Sequence, residues 1–351
     1  MTPTRSRSFA KLTSAHALPL SGGGENCAAL TPLPLQGGGR GCEHSERRRV
    51  GVQLRKFRTR LIAGAILVAV GGPTSAADKV PEMGGLWGRD SLNLEQPLTG
   101  PGPIVNLMHT PDGTMDMNKL VGDYNSPILK PEAAAILKRR GEKSLQGVVS
   151  RDPHNECRPE PPPYIFAVQF AFEMVQGKDE VVLIYSHDNK VRRVRLNGSH
   201  PTHITPTGQG DSIGHYEGDD LVVDTVGIEV TPISVLDWMG TPHSSQLHVI
   251  ERYRLIDQEE ARAAAKRHDL QYRKNPRPNP NGIALDPNYK GKGLQIELTV
   301  DDPGMFTMPW HALVTYQRAQ GELWEMRCAE SFHEYYANAD APIPQAARPD
   351  F

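Results

Sequence analysis

No apolar run in this chain is long enough to cross a bilayer as a helix; residues 61–70 (LIAGAILVAV) reach only about half of the ~20 residues such a span needs. There is no Gly-rich phosphate loop and no dinucleotide fingerprint. No two histidines stand at His-x-His or His-x-x-x-His spacing on one predicted element, and no Cys-x-x-Cys occurs. Nucleotide chemistry and a sequence-local metal centre therefore have no foundation here, and neither a metal nor another cofactor is expected. A literal Gly-x-Ser-x-Gly at 210–214 falls in a predicted strand and lacks the strand-to-helix turn of a nucleophile elbow.

The chain does carry a secretory signal, placed unusually late. Arg55, Lys56, Arg58 and Arg60 form a basic region, residues 61–70 the apolar core, and Pro73-Thr74-Ser75-Ala76-Ala77 a small-residue cleavage site, with the cut after Ala76 or Ala77. Residues 1–54 precede this 55–77 signal. They hold two near-copies of Leu-Pro-Leu-x-Gly-Gly-Gly (18–24 and 33–39) and no hydrophobic period, and read as a misassigned or disordered leader. The expectation is an exported protein, periplasmic or extracellular, with no membrane span after cleavage.

Removing the leader changes the balance of charge. Of 39 basic and 41 acidic residues, residues 1–77 hold 11 and 3, so residues 78–351 keep 28 and 38, a formal charge of −10. An acidic chain without a basic cluster is a poor partner for nucleic acid or anionic lipid. Cys27 and Cys42 leave with the leader. Cys157 and Cys328 remain, and the simplest expectation is one disulfide closing a long loop, worth roughly 4–5 kcal/mol in the chain-entropy view.

Residues 78–351 read as a single β-rich domain. A short strand is expected near Gly85-Leu86-Trp87. Residues 131–140 (PEAAAILKRR) predict a helix, with proline in its first turn, basic residues in its last and Gly141 as the stop. Residues 152–163 form a Pro-rich loop. From Ile165 the period is two, giving strands at 165–175, 180–186, 190–196, 212–217, 221–226, 246–256, 294–301, 312–318 and 323–329. Turn chemistry at 176–179, 187–189 and 218–220 links neighbours as hairpins, and 258–268 predicts a second helix. This order predicts a mainly β fold: an antiparallel lipocalin-like barrel or strongly curved sheet with one or two short helices, with a β-sandwich as the alternative.

Strand phase selects two sets of residues. Alternation puts Arg192 on the face of Val194 and Leu196. It puts Glu251 among Leu247, Val249, Tyr253 and Leu255, and Asp302 at the end of the Ile296, Leu298 and Val300 face. A charge on an apolar face is costly unless paired. Arg192 with Glu251 or Asp302 is thus either an interior ion pair or a clamp for a ligand's polar group, with Tyr253 and Trp310 packing on the ligand's body. Separately, Asp211, His215 and Glu217 share one face of a strand. They could act as acid/base groups, or form a solvated surface.

Several of these segments form one pattern: Asp152-Pro153, Cys157-Arg158-Pro159, Val191-Arg192-Arg193-Val194, the run GDSIGHYEGDDLVVDT at 210–225, Glu251-Arg252, Asp301-Asp302-Pro303, Pro309-Trp310 and Cys328. The pattern resembles a family of exported bacterial proteins of uncharacterised function, whose usual motif has Trp and Thr where this chain has Tyr216 and Asp220. The resemblance implies a lipocalin-like β domain and brings no activity with it. The functional expectation is a small, largely apolar molecule bound in the barrel interior. The alternative is a cofactor-independent lyase, isomerase or hydrolase using Asp211, His215 and Glu217.

Overall fold

A computed structural model describes residues 80–90, 92–186, 190–272 and 283–323. The leader, the signal segment, Cys328, the turn at 187–189 and nearly all of the expected strand 323–329 lie outside the described residues.

Nine strands close into one barrel. They are β1 (Gly85–Gly88), β2 (Ala171–Gln176), β3 (Glu180–Tyr185), β4 (Val191–Leu196), β5 (Asp211–Glu217), β6 (Asp220–Val226), β7 (His248–Asp257), β8 (Lys292–Asp301) and β9 (Trp310–Arg318). Sequence neighbours pair in order and β9 returns to β1. An odd number of strands cannot close with every pair antiparallel, because β1 and β9 would then point the same way. The conflict is resolved at β4–β5, which pair in parallel, so that β9 meets β1 antiparallel. A parallel connection needs about a dozen residues to travel back along the barrel, and residues 197–210 supply it. The tight turns fall where the sequence puts them, at Gly177–Asp179 and Gly218–Asp219.

The barrel interior is filled by side chains of alternate residues. Phe172 and Met174, Leu183 and Tyr185, Arg192 and Val194, Leu221 and Val223, Val249 and Tyr253, Ile296 and Leu298, and Val314 and Tyr316 are all buried. Phe172 meets Tyr316 edge-on, with ring centroids 4.9 Å apart. Trp87 closes the β1 seam: its indole donates to the Met83 carbonyl at 2.8 Å, and the Arg318 guanidinium lies 3.9 Å from its ring centroid.

The described residues also hold three helices: α1 (Pro131–Leu145), α2 (Tyr164–Val168) and α3 (Gln258–Tyr272). All three differ from the sequence reading, α3 by running on to Tyr272 where 268 was its expected end. The first runs past Gly141, which is buried and needed for close approach, since a Cβ there would sit 3.0 Å from Val121 Cγ1. The stop comes at Gln146-Gly147, where Gly147 takes φ +79°. The expected strand 165–175 is split, with α2 followed by β2; a short apolar run suits a buried helix turn as well as a strand.

On the outer wall, α3 packs through Ala261, which is fully buried. A Cβ on Gly293 of β8 would stand 2.3 Å from the Ala261 Cβ and 3.3 Å from the Tyr316 carbonyl oxygen. Gly293→Ala should therefore cost about 1–3 kcal/mol in urea unfolding. Adding Ala261→Gly should recover part of that loss, and failure to recover any would show that the contact does not set the spacing between helix and barrel.

Candidate functional site

Inside the barrel, the sequence-predicted charges meet. Arg192 and Glu251 are 2% and 0% exposed and form a two-pronged ion pair: Nη1 donates to Oε2 at 2.9 Å and Nη2 to Oε1 at 2.6 Å. Nε and Nη2 also donate to the Ser212 hydroxyl at 3.2 and 3.0 Å, and Nη2 to Thr225 Oγ1 at 2.7 Å. The Tyr253 hydroxyl donates to Glu251 Oε2 at 2.7 Å. Burial works against the charge on Arg192, but Glu251 outweighs it and holds the guanidinium above its ordinary pKa. Burial raises the pKa of Tyr253, and the Glu251 charge adds to this. The arrangement satisfies itself from β4, β5, β6 and β7, and its burial needs no ligand to explain it.

The other two residues of that set lie apart from the pair. Asp302 follows the end of β8 and holds a loop: it accepts from the Ser244 amide (2.6 Å) and hydroxyl (2.5 Å) and from the Gly304 amide (3.0 Å). Trp310, at the start of β9, meets Phe306 edge-on at 5.9 Å.

Asp211, His215 and Glu217 lie on the outer face of β5. His215 Nε2 is 2.8 Å from Glu217 Oε1, with side chains 51% and 48% exposed, and Glu217 also accepts from Arg252 at 2.7 Å. Asp211 turns instead to Arg195, which grips it at 2.8 and 2.9 Å, and to His200 Nδ1 at 2.6 Å. The hydrogen bond from Arg195 leads in holding its carboxyl below the ordinary range. His200 Nε2 and His248 Nε2 then share Asp224 Oδ1, at 3.2 and 2.9 Å. His200 thereby pins the 197–210 crossover to the barrel wall. Among the described residues, no group of three or more His, Cys, Asp or Glu is placed to hold a metal ion.

A cleft of about 510 Å³, within the size range of small-molecule sites, lies outside the barrel. Its walls come from the end of α1 and from loops around 117–120, 147–155 and 235–240. Met117, Leu120, Val148, Val149, Val235, Trp238 and Met239 give it an apolar lining, and Asn118, Arg140, Ser144, Asp152, Asn155 and Asp237 bring polar groups. Asp152 accepts from the Asn155 amide N–H at 2.9 Å and from Asn155 Nδ2 at 3.0 Å, while its own N–H donates to Asn155 Oδ1 at 3.0 Å. Asp237 accepts from the Thr241 amide at 3.1 Å and hydroxyl at 2.5 Å. Burial raises the pKa of both carboxyls.

Behind the cleft, buried Glu160 sits 2.8 Å from His154 Nδ1 and accepts from Lys190 at 2.8 Å and Gln169 at 3.1 Å. Burial works to raise its pKa, and the His154 hydrogen bond and Lys190 charge together hold it below the ordinary range. The His154 and Trp238 rings stand in a T-shaped contact with centroids 5.5 Å apart, and the Trp238 indole donates to the Ala167 carbonyl at 2.7 Å. From the sequence, residues 152–163 read as a Pro-rich loop that holds Cys157 and contributes Asp152-Pro153 and Cys157-Arg158-Pro159 to the resemblance, with no site role at Asp152, Arg140, Asp237 or Trp238. The one local signal was the Asp152-x-x-Asn155 spacing, which suits reciprocal side-chain to backbone capping.

Replacing Glu251 alone should leave Arg192 charged and unpaired in the interior. Glu251→Leu is expected to destabilise the protein by about 3–5 kcal/mol. Adding Arg192→Met should restore most of that in denaturant unfolding; a double variant as unstable as the single would mean that packing, not charge, dominates there. Comparisons with protein-family models, curated proteins and solved structures find no match to this chain.

Proposed function

We propose that this is an exported binding protein for a small, largely apolar molecule, and that the molecule occupies the cleft beside the barrel. The observation that carries the reading is that cleft: about 510 Å³, with seven apolar side chains in its walls and seven polar or charged ones converging on it. The lumen supports binding less well, because Arg192, Glu251 and Tyr253 already consume one another's hydrogen-bonding capacity there. The acid/base reading of Asp211, His215 and Glu217 is likewise weakened, because their partners are surface ion pairs on the outer wall.

Export and the Cys157–Cys328 bridge belong to the same proposal, resting on the 55–77 segment and on the two cysteines that follow it. The N-terminus of the protein recovered from its native envelope should be Ala77 or Asp78. An N-terminus upstream of residue 55 would remove the basis for export.

Native mass spectrometry of the same material tests the binding. A small molecule should travel with the wild-type protein, and Val149→Trp, which fills the cleft from its partly exposed rim, should release it. Retention of the molecule by this variant would put binding elsewhere, and a wild-type protein of bare polypeptide mass would count against a tightly held ligand.

A further inference from the structure

We propose that the flanking cleft takes an organic amine, its ammonium received by Asp152 against the indole of Trp238 and its apolar body lying along Val148, Val149, Val235 and Met239. This rests on the reading of the cleft as a binding site and adds the class of ligand.

Charge makes the selection. Asp152 and Asp237 both line the cleft. Asp152 accepts from the amide and side chain of Asn155 and from the Tyr164 hydroxyl, with the His154 imidazole as its nearby source of positive charge, and Asp237 accepts from the amide and hydroxyl of Thr241. A bound ammonium would supply the cation that an enclosed carboxylate gains most from. Burial raises the pKa of both acids, and at Asp152 the hydrogen bonds and the His154 charge offset it only in part, so a bound ammonium would add to what the protein supplies.

Arg140 is the cation of the lining, and its Nη2 is committed at the rim, donating to the Pro232 carbonyl at 3.3 Å. Its side chain lies against Gly240, where a Cβ would come within 2.6 Å of Arg140 Cδ. An anionic ligand would have to bring its charge in beside two carboxyls. Trp238 is half-buried and lines the cleft, and an indole is the best aromatic partner for a cation. The excess of acidic side chains in residues 78–351 also favours the approach of a cation.

Isothermal titration of the processed protein with three probes of matched shape tests this: phenethylamine, 2-phenylethanol and 3-phenylpropionate. The amine should bind at least about tenfold more tightly than either of the others, a gap of about 1.4 kcal/mol. Asp152→Asn should erase that preference, and Val149→Trp should abolish binding of all three. If Asp152→Asn does not fold, because Asn155 depends on the carboxylate, Trp238→Leu should reduce the same preference. Equal binding of the alcohol, or tighter binding of the carboxylate, would overturn the amine assignment and leave the cleft standing as a site. No binding of any probe to the wild-type protein would overturn both.

Discussion

The Arg192 guanidinium is a charge sealed inside the barrel with its carboxylate partner Glu251, and the closure of the barrel and the satisfaction of this charge depend on each other. The β4–β5 seam is, with β9–β1, one of the two weakest joints in backbone terms, with two residue pairs in register against seven for β5–β6. Arg192 projects from β4 and bonds to Ser212 on β5, Thr225 on β6 and Glu251 on β7. It therefore bridges the seam through the lumen, where water cannot compete for its donors. Opening the seam would strand a buried cation and a buried carboxylate together, so a weak backbone joint is paired with a strong side-chain one. Outside the same seam, Arg195 grips Asp211 and His200 ties down the crossover, repeating the device at a place where solvent screens it.

Filling the lumen in this way moves the candidate function outward. A barrel of eight or so strands has room for one small ligand or for its own side chains, and here Phe172, Tyr185, Tyr253 and Tyr316 with the ion pair take the space. The substantial cleft arises instead where two excursions from the barrel meet, the stretch from α1 through the 150–161 loop and the stretch between β6 and β7. The barrel acts as the support, and the proposed binding surface is built from loops and a helix end.

How much of this was legible in the sequence follows from the range of the signal involved. Strand order and phase could be read because a strand's period is two: alternation placed Arg192 and Glu251 inward, and the structure pairs them. It failed at Asp302, which lies past the end of β8, where the alternation no longer governs direction. The helix continued past Gly141 because a glycine that stops a helix and a glycine that admits Val121 look alike in one dimension. The cleft itself was invisible. Val149, Asp152, Val235 and Trp238 are far apart in the chain and carry no shared period, and only the fold brings them together.

The polar cluster behind the cleft explains why those walls can hold a shape. Glu160 receives His154 from its own loop, Lys190 from the residue before β4 and Gln169 from the end of α2, two residues before β2. Lys190 and Gln169 sit at the roots of barrel strands, so the loop carrying Asp152 is anchored to the barrel by a carboxylate whose ionised form is favoured. The opposite wall is fixed separately, by the Trp238 indole on the Ala167 carbonyl at the end of α2. The T-shaped contact of His154 with Trp238 then joins the two anchors. A ligand entering such a cleft would not have to order its walls, which lowers the entropic cost of binding and lets modest contacts, one carboxyl and one aromatic face, discriminate by charge.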